Sequence, residues 1–227
     1  MRGQKPTMWN EILTHDAWKT YFCSPMEQKI ADIQDIIARE IKGIQNIPVD
    51  ATIVEAIELI YQEVHAHGGK VVVSGLGKAG QIGHNIATTL ASTGTPAIFL
   101  HPTEAQHGDL GIIQKHDILF LISNSGKTRE ILELLPLARR LFPDIKSVGL
   151  TGHPEHELGT MVDICLSTGY PKEVCPLGLT PTTSTTVMTV LGDIIVVSLM
   201  KKIGFTKQAY AMRHHSGYLG QKSKSDE

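Results

Sequence analysis

Five short apolar runs decide what this chain can fold into: "KVVVSG" at 70–75, "PAIFL" at 96–100, "DILFLIS" at 117–123, "IKSVGLTG" at 145–152 and "VDICLS" at 162–167. None alternates apolar with polar residues, so each reads as a strand buried on both faces. Between them, helical periodicity predicts a helix over 78–93, a short one near Thr103 and another over 127–141. Strands separated by helices build a parallel sheet with helices on both sides. The fold class is therefore α/β, a three-layer α/β/α sandwich around a five-stranded parallel sheet. In such sheets ligands bind at the carboxyl edge, where strands hand over to helices.

Outside these runs, Ile30, Ile33, Ile37, Ile41 and Ile44 recur at three- and four-residue intervals and form one apolar stripe on a predicted helix. A second helix follows, with Asp50 as its N-cap and Gly68-Gly69 as its stop. After Pro181, "TTSTTVMTVLGDIIVVSLMKKIG" reads as a long helix, apolar nearly all round, which must be buried in the core or against another subunit. No internal linker divides the chain. The domains are an N-terminal segment 1–24, one domain over 25–220 and a polar tail 221–227.

The formal charge of −2, with basic residues scattered along the chain, lacks the footprint of a nucleic-acid binder and favours a small anionic metabolite. Cys23, Cys165 and Cys175 show neither zinc-finger spacing nor the density of a secreted scaffold, which points to the cytoplasm. The N-terminus has no apolar signal region. The longest apolar run, "VMTVLGDIIVVSLM", is interrupted by Gly192-Asp193 and falls short of the ~18 residues of a membrane span. No membrane association is expected.

Two strand-to-helix loops carry the first chemical signal. "SGLGKAG", from Ser74 to Gly80, matches the glycine spacing of a dinucleotide site, but His101 stands where the ribose-binding acid would be. "SNSGKT", from Ser123, ends like a P-loop. Counting back five residues from Gly126 reaches Leu121 within the strand, so the first Walker glycine is missing. What remains is Ser123, Asn124, Ser125 and Thr128 at a helix start, either an anion cradle or simple capping with Ser125 as N-cap. "HPTEAQHGDLG" adds His101 and His107 beside the same edge, "KEVCPLGL" supplies Glu173, and "MRHHSG" supplies His214 and His215. His84, His116, His153 and His156 read as ordinary hydrogen-bonded histidines.

Together, "GLGKAGQIG", "ASTGTPAIFLHPTEAQHGDLG", "DILFLISNSGKTREI", "KEVCPLGLTPTTSTT" and "HHSGYLG" resemble, in order and spacing, the sugar isomerase (SIS) domain of bacterial D-arabinose 5-phosphate isomerases. The resemblance covers about residues 28–220. It implies interconversion of D-ribulose 5-phosphate and D-arabinose 5-phosphate through an enediol, in the pathway to the acidic sugar Kdo of lipopolysaccharide or capsule. No cofactor is required.

On this resemblance, Ser123, Asn124, Ser125 and Thr128 hold the substrate phosphate, and Lys78 neutralises phosphate or enediolate. Glu173, expected to have a raised pKa, is the proton-transferring base. Glu130 is a second catalytic carboxylate. His107 and His214 are candidates for ring opening. Ser74, Gly94, Thr95 and His101 line the substrate site, and His101 is also a candidate ligand for an inhibitory divalent metal such as zinc.

The resemblance further implies a homotetramer built as a dimer of dimers, with active sites near subunit contacts. It leaves open feedback by an end product such as CMP-Kdo. Three departures stand out: Lys127-Thr128-Arg129 after the serine loop, "HHSG" in place of "HPGG", and no pair of CBS domains after the SIS domain. The alternatives are a non-catalytic SIS sensor of a phosphosugar or sugar nucleotide, and an SIS isomerase acting on another sugar phosphate.

Overall fold

A computed structural model of the chain describes residues 25–216 together with 218 and 222. The proposed N-terminal segment 1–24, Cys23, and all of the tail but residue 222 lie outside the described residues. The chain forms two compact units, residues 1–42 and 43–227, where the sequence indicated no division. Helix α1 (Met26–Gln45), as far as Lys42, supplies the described part of the first. There Ile30, Ile33, Ile36, Ile37 and Ile41 remain 45–53% exposed, so the apolar face is open among the described residues.

The second unit contains α2 (Ala51–Ile60), whose N-cap Asp50 accepts hydrogen bonds from the amide and hydroxyl of Thr52. A π-helical turn (Tyr61–Ala66) leads into β1 (Val71–Gly75), α3 (Gly77–Ser92), β2 (Ala97–Phe99), the short α4 (Pro102–Ala105) and a 3₁₀ turn (Asp109–Ile112). Then come β3 (Ile118–Ile122), α5 (Arg129–Leu141), β4 (Lys146–Thr151), α6 (Glu157–Met161), β5 (Ile164–Ser167), α7 (Thr183–Lys202) and α8 (Lys207–Ala211). The sheet is five-stranded and wholly parallel in the order β2-β1-β3-β4-β5, as the alternating runs required.

Successive strand residues point to opposite faces, and each face builds its own core. Val71, Val73, Ile118, Phe120, Ile122, Val148 and Leu150 pack with residues of α2, α3 and α7. Val72, Leu119 and Leu121 pack with Ile131, Leu134, Leu135 and Ala138 of α5. Burial on both sides explains why these strands carry no polar alternation.

Helix α7 is the long helix expected after Pro181, and taken whole it exceeds the interrupted apolar run inside it. By length and composition alone it could cross a membrane, yet half of the relevant stretch is buried inside the protein. Its buried residues, among them Val187, Met188, Leu191, Ile195 and Leu199, belong to the first core, which is where a nearly all-apolar helix is stable.

Candidate active site

Three helices of the second unit begin beside one cavity of about 260 Å³ at the carboxyl edge of the sheet. Leu76, Lys78 and Ala79 come from the start of α3. Ser123, Asn124, Ser125 and Thr128 come from the loop before α5. Pro181, Ser184, Thr185 and Met188 come from the start of α7. Each helix start leaves backbone N–H groups without intrahelical partners and carries the positive end of the helix dipole. Lys78 is exposed and forms no ion pair among the described residues. Three dipoles, an ammonium without an ion-pair partner among the described residues and small hydroxyl groups suit this cavity to an anion.

The serine loop is held by its own side chains. Ser123 Oγ and Thr128 Oγ1 are 2.8 Å apart, Ser125 Oγ accepts the Lys127 amide at 3.2 Å, and Gly126 makes the turn at φ +66°. That φ lies in the left-handed region open to glycine. Helix α5 begins at Arg129 with Thr128 as N-cap, not with Ser125 as simple capping would have it. Ser125 instead closes the turn ahead of the helix, which leaves the hydroxyls grouped at the cavity. Ser74 Oγ and Asn124 Oδ1, at the ends of β1 and β3, are buried without a hydrogen-bond partner among the described residues. A ligand at this edge can satisfy them.

Glu173 stands at the start of α7. Its Oε2 accepts the amide and hydroxyl of Thr182 at 2.7 and 2.8 Å and the amide of Ser184 at 3.3 Å. Burial by itself would raise this carboxyl, but hydrogen bonds from Ser184 and Thr182 outweigh it and hold the pKa below its ordinary value. This corrects the expectation of a raised pKa: the helix start that makes an anion site for a ligand stabilises the glutamate anion as well. Two residues on, the thiol of Cys175 is pulled down to about 6 by hydrogen bonds from the Thr180 side chain and backbone and from the amides of Leu179 and Leu177.

Other predicted site residues lie farther from this cavity. Glu130 is in the first turn of α5 and does not line it. His101 follows β2 and borders two neighbouring cavities, one shared with Gly75, Gly77 and His84, the other with Gly108 and Asp109. His107 is exposed on the loop between α4 and the 3₁₀ turn. His214 stacks on Tyr210 with ring centroids 3.7 Å apart and donates Nδ1–H to the Tyr210 carbonyl at 3.0 Å, which leaves Nε2 able to accept a proton.

Gly94 and Thr95 precede β2, at the amino-terminal edge, and one chain does not bring them to the anion cavity. Thr95 is buried and bonded to His65 Nε2 at 3.1 Å, while Gly94 packs against Phe205. The converging groups of metal-ligating side chains among the described residues do not include His101. Pro181, Ser184 and Thr185 line the cavity but were not singled out by sequence reasoning. Their signal was the hydroxyl cluster of "TPTTSTT" opening a helix.

Comparison with known proteins places this geometry. Residues 66–198 match the SIS domain family. The arabinose 5-phosphate isomerase KdsD of Yersinia pestis is 52% identical over 154 residues, covering 68% of this chain and 46% of the relative. That of Pseudomonas aeruginosa is 47% identical over 169 residues, covering 74% and 50%. The chain thus spans about half the length of the curated relatives it matches.

A crystal structure of a candidate phosphosugar isomerase involved in capsule formation from Bacteroides fragilis superposes with a TM-score of 0.82 at 57% identity, covering 84% of this chain and 99% of that one. An Escherichia coli CFT073 protein solved in complex with arabinose 5-phosphate superposes with a TM-score of 0.76 at 35% identity, covering 84% and 100%. The parallel sheet in the order β2-β1-β3-β4-β5, the serine loop on its carboxyl edge and the family match over residues 66–198 agree: the chain belongs to the SIS domain family.

Proposed function

We propose that this chain is an aldose–ketose isomerase that interconverts D-ribulose 5-phosphate and D-arabinose 5-phosphate. The observation that carries this reading is the cavity at three helix starts, with Lys78 in its lining and Glu173 anchored to one of those helices. The likeness to arabinose 5-phosphate isomerases, and to a protein solved with arabinose 5-phosphate, supplies the sugar phosphate that such a cavity would take.

The phosphate sits against Ser123, Ser125 and Thr128 with the free amides of α5, as Asn124 and Ser74 complete the edge. Glu173 removes a proton from C1 of the ketose. The resulting enediolate transfers its hydroxyl proton between O1 and O2, and protonation at C2 gives the aldose, so no electron acceptor is needed. Lys78 stabilises the negative oxygen as it develops. Glu130 is the second carboxylate of the proton relay. In the reverse direction His107 or His214 opens the cyclic aldose, with Nε2 of His214 as the accepting atom.

The full site draws on a second copy of the chain. The exposed isoleucine face of α1 supports assembly, and the position of Gly94, Thr95 and His107 away from the cavity fits a role across a subunit contact. We read the assembly as a dimer of dimers in the cytoplasm, serving Kdo biosynthesis. A metal is not required by the chemistry; His101 is the ligand through which zinc would inhibit, and CMP-Kdo is a feedback ligand for the same edge.

The test is to replace Glu173 by glutamine and measure both turnover and binding. Glu173→Gln should lower kcat by about 10²–10⁴-fold while substrate still binds. Near-normal turnover would remove Glu173 as the base.

A further inference from the structure

The turn after β4 reads His153-Pro154-Glu155-His156, and its two histidines looked like ordinary structural residues in the sequence. Folded, they converge on one carboxylate. Glu155 Oε1 lies 3.1 Å from His153 Nδ1 and 3.6 Å from His156 Nε2. Tetrahedral coordination with bonds of about 2.0–2.1 Å places neighbouring ligand atoms about 3.3 Å apart. The two distances bracket that value, and all three ligand atoms lie within 4.8 Å of one another.

Convergence alone does not decide, because Glu63, His67 and His116 show it too, at the other edge of the sheet. The outer shell separates the two groups. His156 donates Nδ1–H to the Ser125 carbonyl at 2.8 Å, which fixes the tautomer and leaves the Nε2 lone pair for a metal. Glu155 Oε2 accepts the Tyr170 hydroxyl at 2.7 Å, which turns Oε1 toward the two histidines. Tyr170 holds a φ of +55°, a backbone conformation unusual for a bulky residue and characteristic of functional sites. No such outer bonds orient His67 or His116 among the described residues.

We propose that His153, Glu155 and His156 form a zinc-type divalent metal site, oriented by Tyr170 and the Ser125 carbonyl, that braces the phosphate-binding loop from behind. The brace is built into the backbone. Gly152 donates its amide to the Asn124 carbonyl at 3.0 Å, Leu158 donates to the Gly126 carbonyl at 3.0 Å, and a side chain at Gly126 would meet His156 Cβ at 3.0 Å. The ring of His153 now stacks on that of His156 at 4.7 Å and 15°. To aim Nδ1 at a shared metal it must turn out of the stack, and its Nδ1 proton must pass to Nε2. His153 is part-exposed, so the ring has room to turn.

The test uses the full chain, stripped with a chelator and titrated with Co²⁺ and then with Zn²⁺ in competition. One equivalent of Co²⁺ should give the visible absorption of a tetrahedral centre and be displaced by Zn²⁺. Glu155→Gln and His156→Gln should each weaken Zn²⁺ binding at least about tenfold, and Tyr170→Phe by about 10–100-fold. His67→Gln should bind as the wild type does. Hydrogen exchange at 124–126 should slow with Zn²⁺ in the wild type and not in Glu155→Gln. Glu155 is exposed, so its variant tests the site even if His156→Gln fails to fold. No stoichiometric binding by the wild type, or unchanged binding by Glu155→Gln, would overturn the proposal.

Discussion

Thr182 gives Glu173 two donors: the backbone amide at 2.7 Å and the hydroxyl at 2.8 Å meet the same carboxylate oxygen. A glutamate far back in the loop is thereby locked to the first turn of α7. Its pKa is lowered, so the folded state holds the anion more tightly than the unfolded chain does. The contribution to stability is then complete above the ordinary glutamate value near 4.5 and is lost as pH falls through the lower folded value. The difference in thermal midpoint between wild type and Glu173→Gln should be greatest near neutral pH and shrink as pH falls below 4.5. A difference that grows on acidification would contradict the lowered pKa.

Lys78 is the one lysine among the residues lining the anion cavity. A charge-assisted hydrogen bond contributes about 1.5–3 kcal/mol, which is about 10–150-fold in affinity. Calorimetry with inorganic phosphate should show that loss for Lys78→Gln. Ser125→Ala, which removes a neutral hydroxyl, should cost less, about 0.5–1.5 kcal/mol. Equal losses would mean that the hydroxyls, not the charge, set affinity.

Cys175 and Cys165 should separate cleanly by reactivity. With its pKa near 6, Cys175 is mostly thiolate at neutral pH, whereas burial raises that of Cys165. Iodoacetamide at about pH 7 should label Cys175 first, read by peptide mass spectrometry, and labelling should lower turnover because Glu173 is two residues away. Faster labelling of Cys165 would contradict the hydrogen-bonded thiolate.

The sheet was legible because its strands are buried on both faces, and runs such as "DILFL" have no other stable use in an α/β chain. The serine loop was legible as a strand-to-helix junction, but its helix was placed two residues early because Ser125 resembles an N-cap in sequence. Local chemistry could not reveal the fate of Glu173, whose pKa depends on Thr182 and Ser184, far ahead of it in the chain. The convergence of Glu155 and His156 with Ser125 and Tyr170 was likewise invisible, since it joins three segments through the ends of β3, β4 and β5. Gly94 and Thr95 show the limit of a resemblance read on one chain: the fold sends them to the edge opposite the one their expected role requires.

Gly192 interrupts an apolar run in the sequence, and in the fold it is the point where α7 lies against α3. A Cβ there would stand 2.5 Å from Ile86 Cγ1. Alanine gains about 1 kcal/mol of helix propensity over glycine, but overpacking a core costs about 1–3 kcal/mol. Gly192→Ala should therefore lower the thermal midpoint measured by circular dichroism, and a raised midpoint would show that Ile86 can move aside.

Isomerase activity is tested most directly by incubating the purified chain with D-ribulose 5-phosphate in D₂O and following the products by NMR. The carboxyl that takes the C1 proton exchanges it with solvent in competition with its return to C2, so an enediol route in D₂O carries deuterium into C2. The predicted result is D-arabinose 5-phosphate with deuterium incorporated at C2, formed about 10²–10⁴-fold more slowly by Glu173→Gln. No D-arabinose 5-phosphate from the folded wild-type chain would contradict the proposed reaction.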